Sequence, residues 1–210
     1  MPASSAASDR REKLKEKLIL AAEELIETKG LSGVKARPLA EAAGCALGAI
    51  YTVVPDLDAL ILAVSARTLA RLDAHLAPAL AQPFAWASEK EAARLRLVDL
   101  ALAYLDFALA HRASWRALFE HRLPEGREVP EWLLADQLRL FGRVETLLEP
   151  LLPHMSASER ALTARSLFSA VHGLVLLGLE EKLTTMPLGV LLDQLARLVR
   201  AMIRGLEAGE

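Results

Sequence analysis

The chain has 210 residues, 43 of them Leu and 37 Ala against 11 Val, 5 Ile and 7 Thr; helix formers dominate and strand formers are scarce, which disfavours sheet-based and alternating α/β folds and predicts an all-α one. A chain of this length fills one or two domains and buries enough surface to hold a core without disulfides or a structural metal. With 25 basic and 27 acidic side chains the net charge is -2, so no global positive field draws it to nucleic acid or to an acidic membrane, and any such binding must rest on local features.

Residues 1–9 (MPASSAASD) are small and polar and lack the apolar stretch of a secretory signal; with residue 10 they read as a flexible tail, and a cytoplasmic chain is expected. A first helix follows over about 11–29, where Leu14, Leu18, Ala21, Ala22, Leu25 and Ile26 form one stripe and Gly30 is a C-terminal stop. Two short helical pieces come next, about 35–43 and 46–53, separated by Gly44. The single cysteine, Cys45, lies in that turn; it excludes an intrachain disulfide and reads as a small apolar packing residue rather than a redox switch. Pro55-Asp56 then opens a long helix to about residue 77, which Pro78 and Pro83 should break.

Further helices are expected at about 88–111, 114–121, 131–148, 156–182 and 188–207, with stops at Pro124-Glu125-Gly126, at Pro150 with Pro153, and at Pro187. Ser88 and Ser156 each precede a Glu by three residues, Glu91 and Glu159, which is the capping-box pattern. The longest uncharged run on a strongly apolar helix, residues 166–179, is 14 residues long and contains His172. A span needs roughly 20 apolar residues, so this segment is expected to be a buried helix and no membrane partner is expected.

The most informative stretch is 36–54, ARPLAEAAGCALGAIYTVV. Ala40 suits a close helix crossing, Gly44 can take the positive φ of a tight turn, and Leu39, Ile50 and Val53 can close a small core against the first helix. This is the pattern of a helix-turn-helix, over about 34–53, whose second helix can lie in a DNA major groove. Ala21-Ala22 and Gly30, Leu39-Ala40-Glu41-Ala42-Ala43-Gly44, Gly48-Ala49-Ile50-Tyr51, and Leu60 make the match more specific. Residues 11–71 resemble the DNA-binding domain of the TetR (TetR/AcrR-like) family of transcriptional regulators. The resemblance implies a homodimer that places two such domains on a palindromic operator in double-stranded DNA, and a larger helical domain, residues 72–210, that binds a small effector and forms the dimer.

Family members usually carry polar or basic residues early in the recognition helix and a lysine at the start of the fourth; here those places hold Ala46, Leu47, Ala49 and Leu57. Between Glu41 and Asp58 there is no Lys or Arg. Candidate phosphate contacts are Arg10 and Arg11, entering the first helix with Lys13, and Lys35 and Arg37 at the second. Candidate base readers are Thr52 and the Tyr51 hydroxyl, with Gly48 allowing backbone approach and Ala46, Leu47 or Ala49 able to touch a thymine methyl. With so few cations the salt dependence of binding should be shallow.

The C-terminal part concentrates the aromatics. Tyr104, Phe107 and His111 share one helical face, Trp115 and Phe119 another, and with Phe141, Phe168 and His172 they are the candidate lining of a site for a small apolar effector. The run Phe168 to Gly173 (FSAVHG) and SWRALFEH at 114–121 resemble a His-Gly (WHG-like) subfamily of TetR C-terminal domains. By that resemblance the last two long helices would pair with their copies, Ala170, Gly173 and Gly178 permitting close approach. No catalytic residue, metal site or cofactor is expected, because the sequence carries no zinc-protease, phosphate-loop or nucleophile-elbow motif and its histidines lack metal-ligand spacing. Two functions remain open: an effector-released repressor, or a dimeric small-molecule-binding or protein-interaction protein that keeps the fold with weak or lost operator binding.

Overall fold

The computed structural model describes residues 3–180 and 186–209. Among these there are nine α-helices, one 3-10 turn and no strand, the all-α architecture that composition predicts. The chain divides into two compact units, Met1–Arg71 with Ala110–Leu134, and Leu72–Leu109 with Ala135–Glu210.

In the first unit, α1 (Ala3–Lys29) is followed by a 3-10 turn (Leu31–Gly33), α2 (Ala36–Ala43), α3 (Leu47–Ile50) and the first half of α4 (Leu57–Ala81). The α1 stripe is buried as its spacing demands: Leu18, Ala22 and Ile26 are fully enclosed, together with Leu39, Ile50 and Leu60 from α2, α3 and α4. Each such Leu or Ile contributes about 1.5–3 kcal/mol of burial. Three expectations are corrected here. The tail over residues 1–10 is helical from Ala3; no Gly or Pro follows Pro2 to stop the Ala-rich segment from extending α1. The third helix is only four residues long, Leu47–Ile50, and gives way to a turn, because β-branched Thr52, Val53 and Val54 run into Pro55, which disfavours helical backbone before it. Conversely, α4 passes through Pro78 to Ala81; so close to a helix end, the ring removes one hydrogen bond from a segment otherwise rich in Ala and Leu.

The segment 110–134 belongs to this unit, although the sequence suggests that everything after residue 71 forms one domain. Within it α6 (Arg112–Glu120) packs on α1, and Ala117 enters the core. The acidic stripe of α1 faces α4: Arg67 binds Glu16 and stands 3.5 Å from Glu23, which Arg71 approaches at the same distance. The Arg67 guanidinium holds the Glu16 carboxyl below its ordinary value.

The second unit contains the end of α4, α5 (Glu89–Ala110), α7 (Glu131–Leu148), α8 (Ala157–Gly178) and α9 (Leu188–Ala208), apart from the few terminal residues of α5 and α7 that fall in the first. Ser156 makes the full capping box with Glu159 at the head of α8. At α5, Ser88 accepts from the Glu91 N–H while the Glu91 carboxylate accepts from Arg94. Arg94 also holds Glu207 of α9 through two nitrogens, at 3.0 and 2.6 Å. From α9, Leu191, Leu195, Val199 and Ile203 are buried at a spacing of four. Helix α8 ends at Gly178, short of the expected residue 182, which lies outside the described residues. Nor is it the buried helix expected: Ala164, Leu167, Val171 and Val175 form a single inward stripe, while Leu162 is 61% and Leu177 56% exposed. Among the described residues it is the one helix long and apolar enough to cross a membrane by length and composition.

Candidate nucleic-acid interface and an aromatic cluster

The turn between α2 and α3 is built as the glycine predicts. Gly44 sits at φ 64° and ψ 40°, its N–H donates to Glu41 O, and the Cys45 N–H reaches back to Ala40 O at 3.0 Å. This six-to-one closure is a Schellman turn, which needs left-handed backbone at the glycine and satisfies two terminal carbonyls of α2. Cys45 is half-buried and packs against the unit's core.

Beyond the turn, the sequence-derived readers separate cleanly by face. Ala46, Leu47, Gly48, Tyr51 and Thr52 are exposed and Ala49 is half-buried, whereas Ile50, Val53 and Val54 point into the core. Leu47 and Tyr51 are half exposed, at 49% and 52%, so an apolar side chain and a phenol stand side by side in solvent. The Thr52 hydroxyl donates to Ala49 O at 2.7 Å; with its proton committed, it is left to accept from a base amino group. Arg10, Arg11, Lys35 and Arg37 are all exposed, Lys35 at the N-cap of α2. Neither Lys35 nor Arg37 makes an ion pair among the described residues, so their charges are available to an external anion.

A group that local sequence patterns do not reveal lies at the start of α4. Asp56 caps that helix, accepting the Ala59 N–H at 2.7 Å. Arg127, 71 residues further on, donates to both Asp56 carboxylate oxygens, at 2.7 and 3.4 Å, and stands 3.5 Å from Asp58. The Ala59 N–H first, and Arg127 second, hold the Asp56 carboxyl below its ordinary value. His121 Nε2 lies 3.5 Å from Asp58 and is buried without a hydrogen bond among the described residues. The only sequence signal was the Pro124-Glu125-Gly126 turn, which showed a chain reversal but not its target.

In the second unit, Tyr104, Phe141, Phe168 and His172 come together. The Tyr104 hydroxyl and His172 Nδ1 are 2.8 Å apart. Phe168 meets Tyr104 edge-on at 5.5 Å, Phe141 edge-on at 5.4 Å, and lies nearly parallel to His172 at 5.6 Å. The Arg165 guanidinium sits 6.0 Å over the Phe141 ring. Burial holds the His172 pKa below its ordinary value, which favours the neutral ring. Phe107 is fully buried in the same unit, edge-on to His75. The remaining effector candidates, His111, Trp115 and Phe119, fall in the first unit, where Trp115 is 1% exposed and meets Phe119 edge-on at 5.8 Å. Among the described residues no three His, Cys, Asp or Glu side chains are grouped to hold a metal ion.

Residues 97–206, more than half of the chain, match the family model described as tetracyclin repressor-like, C-terminal domain. No curated protein matches the sequence. Among solved structures, a protein of unknown function from Rhodococcus sp. RHA1 is 25% identical, with TM-score 0.69 over 92% of this chain and 95% of that one. A TetR-like transcriptional regulator from the same organism is 23% identical, with TM-score 0.58 over 94% and 97%. The TetR family transcriptional regulator PfmR from Thermus thermophilus is 18% identical, with TM-score 0.58 over 90% and 98%. A helix-turn-helix with a left-handed Gly44, an all-helical body and a C-terminal family match agree, and the chain belongs to the TetR family of transcriptional regulators.

Proposed function

We propose that this chain is an operator-binding repressor that works as a homodimer and is released by a small apolar effector. The observation that carries the reading is the division of the 46–54 segment: Leu47, Gly48, Tyr51 and Thr52 face solvent while Ile50, Val53 and Val54 anchor them. A surface of this kind reads thymine methyls and amino groups rather than guanines, since it has no arginine to form a two-pronged contact. Arg10, Arg11, Lys35 and Arg37 supply the phosphate contacts, in the compartment where the DNA lies. The effector site is assigned to the second unit around Tyr104, Phe141, Phe168 and His172, whose one polar pair would orient an otherwise apolar ligand. Pairing of α8 and α9 with their copies would cover Leu162 and Leu177. Release follows from linkage: an effector that binds better to one spacing of the two reading heads lowers operator affinity by that difference.

Fluorescence anisotropy with the DNA upstream of the gene, at two salt concentrations, tests this reading. Specific binding with a slope shallower than that of a ten-phosphate binder, lost in a Tyr51→Ala plus Arg37→Ala variant that remains dimeric, is the expected result. Binding no tighter than to random DNA overturns it.

A further inference from the structure

The turn that carries Arg127 is shaped for delivery. Its N–H donates to Pro124 O at 3.1 Å, and Gly126 between them takes φ 80°, which a side chain would resist. The turn aims the guanidinium at the first turn of α4, immediately after the helix-turn-helix. That neighbourhood needs an external hold, because α3 has only four residues and a helix this short is not stable by itself. Its position is set by packing against α2, by Ile50 beneath it and by the link to Asp56.

We propose that Arg127 is a positioning residue for DNA reading: by gripping Asp56 and Asp58 it fixes the first turn of α4 and, through the short link, the orientation of α3. The proposal rests on the operator-binding reading above. Both Asp56 oxygens are occupied, Oδ1 by the Ala59 N–H and Arg127 and Oδ2 by Arg127. Without the guanidinium, two carboxylates would stand in one helical turn, with His121 3.5 Å from Asp58. Their repulsion would loosen the junction next to the reading surface. Arg127 is thus bound inward by two carboxylates and acts on DNA through them.

The test is a double-mutant cycle on operator affinity in the full-length protein, with Arg127→Ala, Asp56→Asn and the pair. Asparagine keeps an oxygen for the Ala59 cap and removes the charge. Arg127→Ala should weaken binding about two- to fivefold, the pair should lose no more than Arg127→Ala alone, and the salt slope should not change. Unchanged affinity in Arg127→Ala overturns the proposal; so do losses that multiply while the slope falls by about one, the mark of a direct phosphate contact. Amide exchange of residues 47–61 without DNA provides a second readout. These residues should exchange at least about threefold faster in Arg127→Ala at unchanged helical content, consistent with local opening, and equal rates overturn the proposal. If the wild type binds no operator, the operator reading falls and the exchange comparison still decides the role of Arg127.

Discussion

The hydroxyl of Tyr104 on α5 and Nδ1 of His172 on α8 face each other at 2.8 Å, in a cluster where the Phe168 ring lies over the imidazole. Tyr104 is 5% exposed, so this pair is a polar contact enclosed by apolar rings. Tyr104→Phe removes this hydrogen bond and should cost about 0.5–1.5 kcal/mol in urea unfolding.

The same burial gives His172 a pH signature. Its folded pKa lies below the ordinary value because desolvation disfavours the charged ring. Below the unfolded value, about 6.5, the unfolded chain therefore binds a proton that the folded chain refuses. The contribution to stability is present above that pH and is lost as pH falls towards the folded pKa. Melting temperatures compared at about pH 7.5 and about pH 5.5 should drop less in His172→Gln than in the wild type.

Gly44 and Ile50 make separable contributions to the helix-turn-helix. Gly44→Ala forces a side chain into left-handed backbone, at a cost of about 1–2 kcal/mol, with open space around the new Cβ. Ile50 is fully buried, and Ile50→Ala should cost about 2–5 kcal/mol. Urea unfolding of both variants should show the second loss as the larger.

A Cβ at Gly178 would stand 2.6 Å from Leu191 Cδ1, whereas one at Gly173 would meet nothing within 4 Å. Leu191 is 1% exposed and has little room to move aside. Gly178→Val should destabilise the chain by about 1–3 kcal/mol through overpacking, measured by thermal unfolding. Gly178 thus serves α8–α9 packing inside one chain, while a Cβ at Gly173 would meet open space.

The exposed apolar side of α8 gives the dimer a direct check. Leu177 is 56% exposed in the single chain, so Leu177→Arg should leave the chain folded by circular dichroism. If a copy covers that face, burying the unpaired charge is costly, and sedimentation should show a monomer. A variant that remains dimeric removes α8 from the interface.

Features decided within a few residues were legible in the sequence. The α1 stripe, the Schellman glycine at position 44, the Ser156 capping box and the inward set Leu39, Ile50 and Val53 depend on backbone preference and on side chains one or two turns apart. The split of residues 46–54 into exposed and buried faces has the same origin.

What only the tertiary structure decided depends on residues far apart in the chain. Periodicity gives Trp115 and Tyr104 the same apolar credentials, yet one is enclosed in the first unit and the other pairs with His172 in the second. Arg127 shows no sign of its partner Asp56, 71 residues earlier, because an ion pair leaves no periodic trace and its geometry depends on how the intervening helices fold. The apolar run of α8 could equally have been a core helix; packing in three dimensions buries one stripe and leaves Leu162 and Leu177 outside. Composition and spacing determined that this chain is helical and carries a helix-turn-helix, and long-range packing determined the partners of Arg127 and which faces of the later helices are buried.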